Sequence, residues 1–295
     1  RGELEQILLN LLRNAAEEAQ RVAHEFIPLD LAPAGEGRWG IVRRFPLGPI
    51  LAITPFNFPV HLLVHKLAPA LAVGNPVVLK PSPRAPLCAL LLGQIVVKVG
   101  ASLNLPPGAL SVLPCSLEQT HRLVQDERFK LLTFTGSAAV GWQLKTMAGK
   151  KRVALELGGN AGAIISSDAD LELAAQRCAW GGFGYAGQSC ISVQRIFVQR
   201  PVYKAFLEKL VAQASALRPG DPLDAATGIG PLITPEDARR VEEWVTEAVR
   251  GGAKIVVGGK REGNIYHPTI LVETQPEMRV NREEIFAPVV TVEPY

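Results

Sequence analysis

Short apolar runs alternate with helical stretches along most of the chain, and this alternation restricts the fold more than any other feature. The runs 50–54, 77–80 and 130–134 are continuously or mostly apolar, as expected of strands buried on both faces. Segments 60–72 and 87–99 have helical spacing. Strands and helices follow each other about every twenty to thirty residues, a pattern typical of a parallel sheet with crossover helices.

The alternation continues after Gly159 with longer helical segments at 171–180, 202–216 and 235–251. We therefore predict two domains, residues 1–157 and 158–295, with a bridging strand segment near 36–48 in the first. Residues 3–26 have apolar side chains at helical spacing and many charges, which predicts a surface helix.

Composition excludes several classes of protein. The net charge is +3 with dispersed Lys and Arg, which argues against a nucleic-acid partner. No apolar segment reaches the length of a membrane span, and the charged start lacks the pattern of a signal peptide. The cysteines match neither a zinc pattern nor a disulfide framework, so we expect a soluble cytoplasmic protein with reduced thiols; they are Cys88, Cys115, Cys178 and Cys190.

The histidines do not predict a metal site. His61 and His65 are four residues apart on one predicted helix, but no HExxH pattern accompanies them. Packing or surface roles are the favoured interpretation, and we predict no metal.

Cys190 lies in a glycine-containing loop between a helical run and a strand-like run. Glycines let other groups approach its sulfur, so the cysteine is placed like a nucleophile. A lone cysteine is more often a buried structural thiol. A carboxylate at Glu156, just before Gly158 and Gly159, supplies a candidate base and favours the nucleophile.

Two further segments could bind oxygen atoms. Asn57 lies between Pro55 and Pro59, where its amide could serve an oxyanion hole or simply close a turn. Gly136 and Ser137 lie between a strand and a helix, where they could bind an anion or cap the helix.

The segment 182–187 spells GxGxxG, the pattern of a dinucleotide fingerprint. That fingerprint requires a strand before it and a helix after it. Here the predicted order is reversed, so we reject it as a phosphate loop.

Six motifs stand in the order found in the aldehyde dehydrogenase superfamily: PFNFP (55–59), KPS (80–82), FTGS (134–137), ELGGN (156–160), GQSC (187–190) and EEIFAP (283–288). The chain resembles this family along essentially its whole length. The sequences of its motifs are most similar to those of the branch with lactaldehyde and non-phosphorylating glyceraldehyde-3-phosphate dehydrogenases. The resemblance implies an α/β fold, with a parallel-sheet, Rossmann-like cofactor domain at 1–157 and a second α/β catalytic domain at 158–295.

The resemblance also implies roles for residues. Cys190 attacks a small-molecule aldehyde, Asn57 and the Cys190 N–H hold the oxyanion, and Glu156 activates the water that hydrolyses the thioester. NAD or NADP is the implied cofactor, bound by Thr54, Lys80, Ser82, Arg84, Gly136, Ser137, Glu284 and Phe286.

Three positions depart from the family pattern. Pro83 replaces the ribose-binding acid of many NAD-preferring members, which makes NADP plausible with Lys80 or Arg84 as its partner. Ser189 stands where an Arg would grip an anionic substrate. Ala287 replaces the usual Gly, a mild change at an ordinary φ and a strained one at positive φ. Without the resemblance, Glu283 and Glu284 would be interpreted as a solvated helix face.

The chain begins and stops inside the family pattern, so we expect it to lack N- and C-terminal parts, with an incomplete catalytic domain. The resemblance implies a homo-oligomer if those segments are present. Two rival functions remain open at this point. One is a truncated, inactive protein that binds nucleotide or a partner chain, and the other is a thiol-dependent esterase that uses Cys190 and Glu156 without a cofactor.

Overall fold

The computed structural model describes residues 10, 13, 14, 17, 21, 25–102 and 104–295. The chain divides into two compact units, Arg1–Leu157 and Gly158–Tyr295. Most of the helix predicted at 3–26 lies outside the described residues. Its last two residues are not helical, because Glu25 begins strand β1, Glu25–Pro28.

The first unit contains a small antiparallel hairpin. Strand β1 pairs with β2, Trp39–Val42, and a single 3₁₀ turn at Pro33–Gly35 lies between them. The predicted bridging segment near 36–48 therefore contains one strand of a two-stranded sheet, and this strand ends at Val42.

The main sheet of the first unit has five parallel strands in the order β5-β4-β3-β6-β7. The predicted parallel α/β organisation is confirmed. Because the chain runs from β3 to one edge and returns to β6 on the other side of β3, the order reverses between β3 and β6. Open α/β sheets bind ligands at the carboxyl end of such a reversal. The strands are β3 Ile50–Ile53, β4 Val77–Lys80, β5 Leu110–Val112, β6 Leu131–Thr135 and β7 Arg152–Glu156.

Helices cover both faces of this sheet: α1 His61–Ala72, α2 Pro86–Ser102, α3 Leu117–Gln125 and α4 Ala138–Met147. Alternate residues of β3 point to opposite faces. Ile50 and Ala52 pack in one core with α1 and α2, whereas Leu51 and Ile53 pack in the other with α3 and α4. This two-sided burial explains why the strand is apolar at every position.

The second unit contains a sheet in the order β10-β13-β14-β9-β8. Its strands are parallel except β10, which pairs antiparallel with β13. The bounds are β8 Ala161–Ile165, β9 Val193–Val198, β10 Lys254–Val257, β13 Thr269–Val272 and β14 Val289–Pro294, with a two-residue-per-strand hairpin of β11 Arg261–Glu262 and β12 Ile265–Tyr266. Sequence analysis did not predict β14, although β14 is the central strand.

The helices of the second unit are α5 Leu171–Phe183, α6 Tyr203–Ala216, α7 Pro235–Arg250 and the single turn α8 Arg279–Arg282. They pack on the sheet around a core that includes Phe206, Leu210, Val241 and Ile270. None of the helices in the described part of the chain has the length and apolar character needed to cross a membrane.

Candidate active site

Predicted site residues gather at the carboxyl edge of the first sheet. Thr54 follows β3, Lys80 ends β4, Gly136 follows β6 and Glu156 ends β7. The Thr54 N–H donates to the Lys80 carbonyl at 3.2 Å, and the Gly136 N–H donates to the Glu156 carbonyl at 3.1 Å. The fold therefore places four of the predicted residues along one edge, where parallel strands end together.

Asn57 occupies the loop between β3 and α1. Asn57 is buried, and a proline lies two residues away on each side of it. Burial restricts an amide to a fixed direction, because each of its polar atoms needs a partner out of water. A buried amide at this edge has the preorganisation that an oxyanion donor requires, and its role stays a prediction.

Lys66 is a residue that sequence analysis missed. It is 8% exposed, and its ammonium donates to Thr133 Oγ1 at 2.9 Å. Burial lowers the pKa of Lys66 to about 8, while the charge of Glu156 acts in the opposite direction. The sequence does contain a signal for Lys66: it is a lysine inside the mostly apolar sequence of α1. Its position, between Val64 and Leu67, faces the core.

Replacing Lys66 with methionine is expected to change how stability depends on pH. Between about pH 8 and pH 10.5 the unfolded chain holds the Lys66 proton and the folded chain does not, so the free energy of unfolding rises with pH in this window. From pH 7 to pH 10 the wild type should gain roughly 2–3 kcal/mol relative to Lys66→Met. Urea unfolding of both proteins at both pH values measures this gain.

The exposed Lys204 supplies the control for this comparison. Lys204→Met should keep a constant difference from the wild type at pH 7 and pH 10. An equally constant difference for Lys66→Met would contradict the lowered pKa of Lys66.

The turn between β6 and α4 leaves the start of α4 without a side-chain cap. Ser137 is the N-cap of α4 in an extended conformation, its side chain makes no capping hydrogen bond, and the first turn carries no acidic residue. A Cβ on Gly136 would lie 2.6 Å from Phe134 Cζ, so the turn fits against the Phe134 ring only with glycine. Backbone N–H groups at such a helix start can bind an anion, and this role of Gly136 and Ser137 stays a prediction. The capping alternative for the Ser137 side chain is wrong.

The loop after β4 carries the predicted ribose-side residues. The Arg84 N–H donates to Ser82 Oγ at 3.2 Å, and the exposed Arg84 guanidinium lies 5.8 Å from the centre of the Phe56 ring. Pro83 is exposed between them. Two cations and no carboxylate therefore occur at positions 80–84, where a 2′-phosphate would be attracted rather than repelled.

Cys190 lies in the second unit, in the loop between α5 and β9, and its thiol is half-buried and unpaired. Cys178 is buried, and burial raises the pKa of its thiol to about 11. Because the thiolate is the nucleophile, Cys178 is inert at neutral pH. The segment 182–187 starts in the last two residues of α5 and ends before β9, the reverse of the order that a dinucleotide fingerprint needs.

The backbone before Cys190 adopts an uncommon conformation. Tyr185, Ala186 and Gly187 have φ values of 58°, 54° and 67°, which is the left-handed region that L-residues rarely occupy in succession. A Cβ on Gly187 would lie 2.1 Å from the Ala287 carbonyl oxygen. Such strain persists only where the surroundings fix the chain, as they do at many functional sites.

Side chains on either side of Cys190 anchor this loop. Gln188 is buried; its Oε1 accepts from the Ile233 N–H at 2.9 Å, and its Nε2 donates to the Pro231 carbonyl at 3.4 Å. Ser192 Oγ donates to the Gly181 carbonyl at 3.1 Å. The Gln of the GQSC motif therefore fixes the loop, while Cys190 remains accessible.

Gln194 is the second residue that sequence analysis missed. It is 2% exposed, its Nε2 donates to the Gly159 carbonyl at 2.8 Å, and its Oε1 accepts from the Ile285 N–H at 3.1 Å. It thereby joins the end of the ELGGN motif to the EEIFAP motif. A Cβ on Gly159 would lie 3.4 Å from the Cys190 carbonyl oxygen, so the three motifs meet.

Glu284 is half-buried beside these glycines, and its Oε1 accepts from the Gly159 N–H at 3.1 Å. Burial raises the pKa of Glu284, against that hydrogen bond and the charge of Arg240. The alternative of a solvated helix face is wrong, because α8 ends at Arg282 before the acidic pair. Phe286, not Ala287, has a positive φ, of 50°, so the replacement of Gly by Ala287 is a mild one.

The described residues contain no group of three or more His, Cys, Asp or Glu side chains placed to hold a metal ion. The first unit presents the Glu156 carboxylate, the Asn57 amide and the cations Lys80 and Arg84, and the second unit presents the Cys190 thiol and the Glu284 carboxylate. A thiol and a carboxylate are groups that can serve as a nucleophile and a base.

The model of the aldehyde dehydrogenase family matches residues 2–295. The chain belongs to this family. It is 46% identical over 296 residues to 3-sulfolactaldehyde dehydrogenase of Priestia megaterium, covering 100% of this chain and 61% of that protein. The aldehyde dehydrogenase motifs found in the sequence are thus those of a family member.

Two solved aldehyde dehydrogenase structures are similar to the chain. Aldehyde dehydrogenase 21 of Physcomitrella patens, in complex with the reaction product succinate, has a TM-score of 0.93 and 46% identity over 98% of this chain and 60% of that one. Glyceraldehyde-3-phosphate dehydrogenase GapN of Methanocaldococcus jannaschii, complexed with NADP, has a TM-score of 0.92 and 38% identity over 99% and 63%. The chain spans about three fifths of the length of these relatives.

Proposed function

We propose that the chain oxidises a small aldehyde to the carboxylic acid with NAD or NADP as hydride acceptor. The observation that carries the proposal is the accessible Cys190 thiol, set in a left-handed loop that Gln188 and Gln194 anchor on both sides. A fixed backbone around an accessible thiol is the arrangement of a nucleophile, since reaction requires orientation as well as a reactive sulfur. Membership of the aldehyde dehydrogenase family supports the same chemistry.

The proposed mechanism assigns one task to each residue. The Cys190 thiolate attacks the carbonyl carbon, and the Asn57 amide and the Cys190 N–H donate to the oxyanion that forms. Loss of hydride from this thiohemiacetal leaves a thioester on the sulfur. Glu156 takes a proton from water, the hydroxide adds to the thioester, and the acid leaves with regeneration of the thiolate.

The cofactor would be held at the carboxyl edge of the first sheet and at Glu284. Gly136 and Ser137 would bind the pyrophosphate through the uncapped start of α4, while Thr54, Lys80, Ser82 and Arg84 follow the two neighbouring strands. Glu284 and Phe286 would contact the nicotinamide half. When bound, the nicotinamide supplies the hydride acceptor, the one chemical function that side chains cannot provide.

We propose that NADP is accepted because positions 80–84 carry Lys80 and Arg84 and lack a carboxylate. A phosphate gains charge-assisted hydrogen bonds from such cations. The similar structures include one complexed with NADP and one with NAD⁺, so the proposal depends on this chain's own residues. We also propose a reducing compartment from the unpaired cysteines, and assembly into homo-oligomers stays a prediction.

The test is nicotinamide reduction at 340 nm with a panel of small aldehydes, with NAD and NADP in parallel. We expect aldehyde-dependent reduction and, after acid quenching, an acyl adduct on the peptide that contains Cys190. Pro83→Glu restores the acid that would repel a 2′-phosphate and should lower the kcat/KM ratio of NADP to NAD by about 10- to 100-fold.

Each part of the proposed function can be contradicted by one result of this assay. A folded protein that forms no acyl adduct and reduces neither cofactor would overturn the proposed function. Hydrolysis of a nitrophenyl ester without any aldehyde oxidation would favour the esterase. An unchanged cofactor ratio in Pro83→Glu would contradict only the argument about NADP.

A further inference from the structure

The side chain of Gln194 is a buried amide whose oxygen and nitrogen are both hydrogen-bonded. Gln194 is 2% exposed, in strand β9 of the second unit. Its Nε2 donates to the Gly159 carbonyl at 2.8 Å, and its Oε1 accepts from the Ile285 N–H at 3.1 Å. Such an amide has one orientation, because rotation would leave a polar group without a partner away from water.

Both partners of Gln194 belong to the immediate surroundings of Glu284. Ile285 follows Glu284 in the chain, and the Gly159 N–H donates to Glu284 Oε1 at 3.1 Å. A Cβ on Gly158 would lie 1.8 Å from Glu284 Oε2 and 2.6 Å from Oε1, so the carboxylate occupies the space beside that glycine. One amide therefore holds the backbone next to the carboxylate and the backbone that hydrogen-bonds to it.

The peptide groups of Ile285 are held from a second direction as well. Arg240, in α7, donates from Nη2 to the Ile285 carbonyl at 2.9 Å, and Ile285 is 1% exposed. The next residue, Phe286, has a φ of 50°, which is unfavourable for an aromatic side chain and persists only where its neighbours fix the chain. Gln194 and Arg240 provide that fixation on the N–H and the carbonyl of Ile285.

Glu284 depends on this support because it is half-buried. Burial disfavours the carboxylate form and raises the pKa of Glu284, whereas the Gly159 hydrogen bond and the charge of Arg240 favour the carboxylate. A carboxylate has more acceptor positions than one N–H occupies. The fixed group can therefore also accept from the hydroxyl groups of a ribose.

We infer that Gln194 is a positioning residue for the cofactor: it holds Glu284 in the orientation that binds the nicotinamide half. The inference rests on the proposed function, in which Glu284 contacts that half, and it adds a residue outside the motifs that acts through Glu284. The adenosine and pyrophosphate groups are assigned to residues of the first unit. Loss of the Gln194 amide should therefore weaken binding of the nicotinamide half alone.

The experiment measures binding of whole and half cofactors to the full chain by isothermal titration calorimetry. The probes are NAD and NADP, beside ADP and 2′,5′-ADP, which lack the nicotinamide half. Gln194→Met keeps the length of the side chain and removes both hydrogen bonds. It should raise Kd for the two dinucleotides about tenfold, the size of one hydrogen bond to a charged group, and leave Kd for the two half cofactors within about twofold.

A double-mutant cycle distinguishes positioning from a general loss of stability. Glu284→Gln should also weaken dinucleotide binding. Because Gln194 acts through the carboxylate, Gln194→Met/Glu284→Gln should bind the dinucleotides no more weakly than Glu284→Gln alone. Losses that add in the double variant would overturn the inference.

Two further variants keep the test decisive. Gln199, directly after β9, also uses its amide oxygen to hold a backbone group, the Ser167 N–H at 2.6 Å, and Gln199→Met should bind all four ligands like the wild type. Gln194→Asn is one methylene too short to hold both partners and is the milder variant if Gln194→Met does not unfold cooperatively in urea. It should show the same nicotinamide-specific loss at a smaller size, and an equal loss for whole and half cofactors would overturn the inference.

The outcomes separate this inference from the proposed function. Aldehyde oxidation by the wild type together with unchanged dinucleotide binding in both Gln194 variants would overturn the inference and leave the proposed function standing. A nicotinamide-specific loss in these variants without any aldehyde oxidation by the wild type would support the positioning role while the proposed function fails. A wild type that binds the dinucleotides no more tightly than the half cofactors would overturn the inference.

Discussion

Replacing Cys190 with alanine is expected to remove aldehyde oxidation. We expect kcat to fall on the order of 10⁴-fold or more, because loss of a covalent nucleophile is among the largest single-residue effects in catalysis. The side chain is half-buried in its loop, and alanine keeps the backbone that Gln188 and Gln194 hold. The variant should therefore melt like the wild type. Nicotinamide reduction at 340 nm measures the loss of turnover. Mass spectrometry of the acid-quenched protein measures the loss of the acyl adduct.

Cys115 is the matched control for this variant, because it is an equally half-buried free thiol outside the proposed site. Cys115→Ala should retain turnover and the adduct at Cys190. Residual turnover above a few percent in Cys190→Ala would exclude Cys190 as the nucleophile. If the wild type itself forms no adduct while it melts cooperatively, the result would support the inactive alternative, which the family relationship does not support.

Replacing Gly187 with alanine is expected to lower the free energy of unfolding by about 3–5 kcal/mol, from a left-handed backbone and a steric overlap together. Gly187 has a φ of 67°, and its new Cβ would lie 2.1 Å from the carbonyl oxygen and 2.2 Å from the carbonyl carbon of Ala287. Both contacts are with backbone atoms, which cannot rotate away as a side chain does. The loop that carries Cys190 would have to move, so activity should fall with stability.

Gly184 offers a control three residues away in the same 3₁₀ segment. Its φ is −52°, and nothing lies within 4 Å of a Cβ added there. Gly184→Ala should change the free energy of unfolding by less than about 1 kcal/mol. Urea unfolding of the two variants beside the wild type decides the matter; equal losses would show that the Ala287 contact is not what selects glycine at position 187.

Most elements could be predicted from the sequence because their signals are local. The segments 77–80, 161–165 and 269–272 are apolar runs between turn residues, which is a local signal for a strand, and they coincide with β4, β8 and β13. Strands β1, β11, β12 and β14 were not predicted. The residues of β1 continue the apolar spacing of the preceding segment, β11 and β12 have only two residues each, and β14 follows directly on the EEIFAP motif.

The site residues also divide into those with a local sequence signal and those without one. Motif positions such as Asn57, Glu156 and Cys190 could be identified because residue type and order carry the signal. Lys66 and Gln194 act through partners 67 and 91 positions away in the sequence, Thr133 and Ile285, and no local pattern contains those partners. The one signal was a polar side chain at a core-facing position: Gln194 shares the inward face of β9 with Ile196 and Val198.

The place of β14 in the second sheet has a consequence for the order of synthesis. β14 lies between β13 and β9, and it pairs with both, yet its residues are 289–294. The five-stranded sheet of the first unit has its last strand once Glu156 has been made. On the ribosome, where domains generally fold from the N-terminus onward, β8 and β9 must wait for more than ninety residues of further translation before the strand that joins them to β13 emerges. During that interval the edge of β9 has no neighbour on one side, and an open strand edge of this kind is a template for pairing with another chain.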